Sequence, residues 1–465
     1  MNLNQTLQEK YPHLEVSVFS YSKVKEHLIF GSEFNSNTRE NAIQSIVSNK
    51  NVNDYFELIN TNVSTLKEFI YIYDLTHSLG NFMIDVEPTQ EIGSNKKEAI
   101  KGDFVISRLR SYLKEMAVIQ SKNFKQLLST EYLVYRPKTN LLSSNTLLAF
   151  SLSRIVQTIL NYSQYGTEHP RFYEFVFNEM PIPKCLLLMN AEIDSIMNKA
   201  YEVLEQSKIF YKKAEETLYL ELGLDPKNPL QSLLDSKTNI PTNSLNISIR
   251  TLKESFLKTG RLDSEYYQSK YEDIEKFIKS YPNGYDSFSN IINNKDTNFT
   301  PKNNENYSYI ELANIGNNGN ISEPISDLGK NLPTRARRIV SKGDVIISSI
   351  EGSLSSCALI TQEFDKHLVS TGFFVLNSKL LNGETLLVMF KSQIFQEYLK
   401  KFPSGTILCA INKEELSKIL IPKIDPTTQE KIAKYIQESF NLRKKSKQLL
   451  DNAKIKVEEQ IQGKI

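Results

Sequence analysis

The chain has 465 residues, 40% of them hydrophobic, 10% aromatic and 24% charged, which excludes a disordered tail and predicts two or more folded domains. Its 56 Lys and Arg against 54 Asp and Glu leave a net charge of +2, so any surface for a polyanion must come from local clustering. The opening MNLNQTLQEKYPHLEV lacks a basic stretch followed by an apolar one, and no apolar run nears the roughly 20 residues that cross a bilayer, so a cytoplasmic chain with no membrane partner is expected. Three scattered cysteines (Cys185, Cys357, Cys409) argue against a disulfide framework and against a thiolate zinc site.

In chain order, segments rich in Val, Ile, Tyr and Phe predict strands at 69–75, 103–107 and 133–136, followed by a helical stretch over 142–160. The run 191–222 contains no Pro or Gly and repeats every seven residues. One seam is Ile193, Ala200, Ser207, Ala214, with a companion at Ile196, Val203, Phe210, Thr217. Residues 223–248, studded with Pro, Asn and Ser, read as a linker. Beyond it come a polar loop at 293–306, a tight turn at Gly316-Asn317-Asn318-Gly319, strands at 344–349 and 373–376, a helical stretch over 383–402 and a final long helix over 425–465.

The two halves repeat each other. Gly102-Asp103-Phe104-Val105-Ile106-Ser107 matches Gly343-Asp344-Val345-Ile346-Ile347-Ser348 at an offset of 241, and Ser129-Thr130-Glu131-Tyr132 matches Ser370-Thr371-Gly372-Phe373 at the same offset. At 239, Tyr165-Gly166-Thr167 meets Ser404-Gly405-Thr406, and Ile182-Pro183-Lys184 meets Ile421-Pro422-Lys423. Upstream, Gly31-Ser32-Glu33-Phe34 resembles Asp263-Ser264-Glu265-Tyr266, and Tyr71-Ile72 resembles Tyr309-Ile310. The seams also repeat at 239, as Ile432, Ser439, Ser446, Ala453 and Tyr435, Leu442, Leu449, Lys456. The shared phase predicts that the two helices pair with each other. The expected organisation is a mixed α+β (α/β) module over 1–190, a long helix over 191–222, a linker, a second module over 249–424 and a second long helix over 425–465.

Signatures of catalysis are missing. There is no Pro-Pro dipeptide of the kind found in amino-methyltransferase loops, no phosphate-cradling G-x-x-x-x-G-K-[ST], and His13, His27, His77, His169 and His367 lack metal-ligand spacing. A binding role without a cofactor or metal of its own is expected. The candidates are polar and basic residues in equivalent loops. In the first module these are Arg108, Arg110, Ser111 and Lys114 after one strand, Thr167, His169 and Arg171 in the loop 165–173, and Thr76 and His77 after the strand 69–75. In the second they are Arg335, Arg337 and Arg338 before the matching strand, Ser349, Glu351 and Ser353 after it, and Thr406. Arg forks onto guanine, Ser, Thr and Glu reach other base edges, and Lys or Arg holds phosphates; the bland alternative for each is a solvated surface group.

The lead Arg261-Leu262-Asp263-Ser264-Glu265-Tyr266-Tyr267, the Gly-Asp-φ-φ-φ-Ser strand, the Ser-Gly-Thr loop and Ile-Pro-Lys closed by Gln429-Glu430-Lys431-Ile432 before a long helix resemble the specificity subunits of type I restriction-modification systems. The second half is the better match; the first carries Glu192-Ile193-Asp194-Ser195-Ile196 where a Gln-Glu-Lys-Ile segment is expected. The resemblance implies two target-recognition domains, each reading half of a bipartite site in double-stranded DNA. It also implies two long helices paired as an antiparallel coiled coil that serves as spacer. Two methyltransferase subunits, bringing S-adenosylmethionine, and motor-endonuclease subunits would be the partners. A protein–protein scaffold, favoured by the low net charge, and a recognition subunit of another phage-defence assembly are the competing expectations.

Overall fold

The computed structural model describes residues 3–14, 16, 18–25, 27–235, 249–405 and 408–463. The chain divides into two compact units, residues 1–203 with 444–465 and residues 204–443.

In the first unit, an antiparallel sheet has the order Phe56–Ile59, Tyr132–Pro137, Phe104–Ser107, Met116–Val118. A second sheet runs Asn62–Val63, Lys96–Ala99, Lys125–Ser129, Ile70–Tyr73, its last two strands parallel. Phe104 and Ile106 belong to a core with the flanking helices, while Val105 faces another core beside Tyr73 and Val134. A strand covered on both faces reads as an unbroken apolar run rather than an alternating one, which is why Phe-Val-Ile was legible as a strand.

The second unit has the corresponding sheet, in the order Ile292–Asn294, Phe373–Ser378, Val345–Ser348, Cys357–Leu359. The duplication holds to the single residue. Phe104 pairs with Tyr135 and with Val118, and 241 positions on, Val345 pairs with Leu376 and with Leu359. Val345 and Ile347 share one core and Ile346 another, as in the first unit. The second sheet, Ile325–Leu328, Asn306–Ile310, Leu368–Ser370, Ala336–Ile339, again contains one parallel pair.

The Gly-Asp step is a stapled corner in both. Gly102 and Gly343 sit at φ 91° and 86°, a region that disfavours any Cβ. Asp103 then accepts from the amide of Ile100 at 2.9 Å and from both Nε and Nη2 of Arg136 at 2.8 Å. Asp344 accepts from the amide of Ser341 at 2.7 Å, from Lys295 at 2.8 Å and from Asn377 at 3.2 Å.

Several expectations need correction. The stretch 142–160 is two helices, Ser144–Ser151 and Arg154–Asn161, and 383–402 is likewise Gly383–Lys391 and Gln393–Leu399. The breaks fall at Ser153 and Ser392, both extended at ψ 151° and 147°, where a serine opens the following helix instead of continuing the preceding one. The ends of the segment 293–306 are strand, paired at Ile292–Asn294 and from Asn306 onward. The segment 223–248 contains a helix, Pro229–Asp235, with Pro at its first position and Leu233 buried in the core of the second unit; residues 236–248 lie outside the described residues. The turn at Gly316–Gly319 forms as expected, with Gly316 donating to Asn320 O at 2.9 Å.

The long helices are Lys184–Glu221 and Pro426–Gln462. The first begins seven residues before the expected start, directly after Pro183, because Cys185 and Leu186 already pack into the core of the first unit. All eight residues of the first seam are at most 1% exposed. The companion seam holds at Val203, which is buried, and is otherwise misplaced by one residue. Ile196, Phe210 and Thr217 are only half-buried, whereas Met197, Leu204, Tyr211 and Leu218 are buried, as are Ile436, Leu450 and Val457 on the second helix. An i, i+4 pair flanks a helix face as well as an i, i+3 pair does, and apolar residues at both spacings left the choice ambiguous.

Within each unit the helices touch. In the first, Ser446 Oγ donates to Ala200 O at 2.8 Å and Lys456 pairs with Glu192 at 2.6 Å. In the second, Ser439 Oγ donates to Ser207 O at 2.7 Å and Thr428 Oγ1 donates to Glu221 at 2.7 Å. In both units later residues of one helix meet earlier ones of the other, so the strands of contact run antiparallel. A serine hydroxyl reaching a carbonyl of the facing helix requires close backbone approach, which only Ala and Ser at the seam allow.

Glu215, on the first long helix in the second unit, is a half-buried acid. Burial pushes its carboxyl up to about 7, against weaker pulls from Lys391 and Lys212. The unfolded chain releases this proton near 4.5 while the folded chain retains it, so stability falls as pH climbs from about 4.5 to 7 and then levels. Glu215→Gln is expected to leave stability near pH 4 unchanged and to raise it by about 2–3 kcal/mol at pH 8, read from urea unfolding at the two pH values. Equal effects at both would mean that the carboxylate is already ionised in the fold.

Candidate nucleic-acid interface

The loop after the strand Phe104–Ser107 is built by the backbone. Ser107 Oγ accepts from the amide of Leu109 at 3.2 Å, which ends the strand and turns the chain. The amide of Arg108 donates to Glu131 O at 3.1 Å, Phe172 donates to Arg108 O at 3.1 Å, and Arg110 donates to Pro170 O at 2.8 Å. In the second unit the same four bonds recur with other residues. Ile350 donates to Ser348 Oγ at 3.2 Å, Ser349 to Gly372 O at 2.9 Å, Ile411 to Ser349 O at 2.8 Å and Glu351 to Cys409 O at 3.0 Å. Main-chain atoms and one serine hydroxyl thus define one cradle, used twice, and the other side chains that it displays are free to differ.

They do differ. In the first unit Glu131 grips two guanidinium groups, Arg171 through Nε and Nη2 (the latter at 2.8 Å) and Arg108 through Nε at 3.1 Å. Arg171 foremost, with Arg108, holds the Glu131 carboxyl below the usual carboxylate range. Arg110 Nη2 lies 3.0 Å from His169 Nδ1. Arg108, Arg110, His169 and Arg171 are therefore brought together by Leu109 and Arg171 bridging across the hairpin Gln164–Tyr165/Arg171–Phe172. Ser111 is buried and joins Asn161 and Gln164, so it anchors the loop. Lys114 and Thr167 are exposed.

Thr76 and His77 lie elsewhere, on the turn Leu75–Ser78, where His77 Nδ1 accepts from the amide of Asp74 at 3.0 Å; burial lowers the imidazole's pKa. That turn leads to Asn81, whose amide holds the carbonyls of Lys114 and Met116.

In the second unit the same positions are Ser349, whose hydroxyl donates to Gly372 O at 2.9 Å, the exposed carboxylate of Glu351, and Ser353, bonded to Ser348 Oγ at 2.8 Å. No arginine occupies positions 349, 351 or 353; Arg261 is held on the carbonyls of Phe402 and Pro403. Arg335 is exposed, with its carbonyl accepting from Thr371. Arg337 is engaged by Thr334 O at 2.8 Å and by Thr300. Arg338 is half-buried and donates to Phe373 O. Thr406 lies outside the described residues.

Glu131 was not among the sequence candidates, although it stands out there: in the aligned Ser-Thr-Glu-Tyr and Ser-Thr-Gly-Phe, a charged residue faces a glycine. Among the described residues no three His, Cys, Asp or Glu side chains are placed to hold a metal ion, and no helix is long and apolar enough to cross a membrane.

No family model matches the chain. Over 159 residues it is 30% identical to the Type I restriction enzyme HindI specificity subunit of Haemophilus influenzae (strain Rd), a match covering 33% of this chain. The match spans about a third of that relative's length as well, at 33%. Among solved structures it is similar to a type I restriction-modification S subunit from M. genitalium, with TM-score 0.40, 12% identity, and 89% of this chain and 95% of that chain covered. It is also similar to the HsdS subunit from Thermoanaerobacter tengcongensis, with TM-score 0.26, 14% identity, and 87% and 95% covered.

Proposed function

We propose that this chain is the sequence-reading, non-catalytic subunit of a type I restriction-modification enzyme, each unit reading one half of a bipartite site in double-stranded DNA. The observation that carries the proposal is the twice-used main-chain cradle with unlike side chains. One framework that presents Arg108, Arg110, His169 and Arg171 in one copy, and Ser349, Glu351 and Ser353 in the other, suits the reading of two unlike half-sites. Guanidinium groups donate to guanine O6 and N7, while a carboxylate accepts from the amino group of cytosine or adenine. Lys114, Thr167 and Thr76 with His77 are assigned to the flanks of the first half-site, and Arg335 and Arg337 to those of the second. The similarity to a specificity subunit over 159 residues supports this reading.

The partners that follow are two methyltransferase subunits, which bring S-adenosylmethionine, and motor-endonuclease subunits. The long helices, taken as one antiparallel coiled coil, are their docking and spacing element; exposed Leu188 and Leu220 on the first helix suit such docking.

Co-expression with the methyltransferase encoded beside this chain, followed by genome-wide mapping of methylated adenines, tests the proposal. A bipartite motif lost when this chain is omitted is the expected result; a stable complex with no motif overturns it. Glu131 provides a sharper measurement. Glu131→Gln releases Arg108 and Arg171 from their shared carboxylate, so methylation at sites with one mismatch in a single half is expected to rise. Thermal stability should change by less than about 1 kcal/mol, since these are half-exposed ion pairs. Unchanged discrimination would show that the two arginines are held without Glu131.

A further inference from the structure

The loop 109–114 carries more than cations. Between Arg110 and Lys114 lies a single turn of 3-10 helix, Ser111–Leu113, bracketed by two non-glycine residues in the left-handed region, Arg110 at φ 49° and Lys114 at φ 55°. Such conformations persist only where surroundings enforce them. Here Arg110 donates to Pro170 O, Ser111 is locked between Asn161 and Gln164, and Asn81, itself at φ 60°, clamps the carbonyls of Lys114 and Met116. At the tip of this fixed turn stand Tyr112 and Leu113, 54% and 37% exposed.

We propose that Tyr112 and Leu113 enter the base stack of the half-site read by the first unit and unstack a single base step there. This rests on the DNA-reading role proposed above. An exposed aromatic and an aliphatic side chain, flanked by Arg110 and Lys114 and beside His169 and Arg171, fit a ligand with apolar faces between anionic groups. The base step of a duplex has that character, its bases lying between phosphates. Apolar wedges of this kind unstack steps in other DNA-binding proteins, and a turn that is rigid before binding loses little freedom on insertion. The second unit has no such tip. Position for position, 241 residues on, Tyr112 becomes Ser353 and Leu113 becomes Leu354, which is only 4% exposed. Neither Glu351 nor Ser355 adopts positive φ. At these positions, then, the second unit presents no corresponding wedge.

The test uses the complex of this chain with its methyltransferase subunits and a duplex carrying the mapped motif. 2-Aminopurine replaces, in turn, each adenine in and beside the first half-site, leaving the methylated adenine in place. Apart from positions beside the extruded target adenines, binding is expected to raise fluorescence at one position of the first half-site. Tyr112→Ala combined with Leu113→Ala should abolish the rise and weaken binding roughly 5- to 100-fold, as for loss of a base stack, with the salt dependence unchanged because no phosphate contact is lost. Tyr112→Phe should retain the signal. No rise at any probed position, or a rise that survives the double substitution, overturns the proposal. So does loss of the methyltransferase subunits from the double variant on gel filtration, which would assign the tip to a protein contact. Failure of the DNA-reading role itself is distinct: wild-type complex would then show neither a motif nor salt-dependent binding to this duplex.

Discussion

A four-residue insertion between Val203 and Leu204 of the first long helix is expected to lengthen the spacing between methylated half-sites by about one to two base pairs, leaving both half-site sequences unchanged. Four residues add about 6 Å of helix, and a base pair rises about 3.4 Å. Such an insertion shifts a heptad pattern by a fraction of a turn, which paired helices absorb by slight unwinding. The Ala and Ser seam tolerates this because its contacts are made by small side chains on main-chain carbonyls, as Ser446 makes on Ala200 and Ser439 on Ser207. Methylated-adenine mapping of the variant reads the result. An unchanged spacing would sink the assignment of these helices as a ruler, while altered half-site letters would mean that the helix contributes to reading.

The largest stability effect is expected at the stapled corner. Asp344 is 3% exposed, and removing its carboxylate strands the amide of Ser341 and the side chains of Lys295 and Asn377 together. Asp344→Ala should cost about 3–5 kcal/mol, the range for breaking a buried ion pair from one side. At roughly 2–4 °C per kcal/mol for a unit of this size, the drop in its thermal midpoint would be about 6–20 °C. Asp344→Asn, which keeps an acceptor for Ser341, should recover some of that. A midpoint within a degree of wild type would place the corner's stability in the left-handed Gly343 alone.

What could be read in the sequence follows from where the physics is local. The Gly-Asp turn and the serine that ends the strand bond amides within three residues, and the strand itself is an unbroken apolar run, so together they leave a repeated motif. The breaks at Ser153 and Ser392 were hidden because each lies in an apolar run whose composition suits one helix as well as two. The second seam was displaced because Ile196 and Met197 are both apolar, and only the facing helix decides between them. The strands Met116–Val118 and Lys125–Ser129 are short and draw their stability from sheet neighbours distant in sequence. At the interface, Arg108, Arg110, His169 and Arg171 were legible as loop cations, but their common partner Glu131 was not, since a carboxylate becomes a positioning group only through the fold. Arg338 shows the converse: a cation by composition, spent on the carbonyl of Phe373.

The cradle's four bonds are made by main-chain atoms and by the hydroxyl of Ser107 or Ser348, so none of the four is supplied by the side chains at 108, 110, 349 or 351. Alleles that differ at those positions should all fold, and one half can drift while the other keeps its target. In an enzyme whose marking and cutting activities share this reader, every such allele would protect the host genome at the same sites it exposes in invading DNA, so diversification would carry no interval of self-damage beyond the first round of methylation.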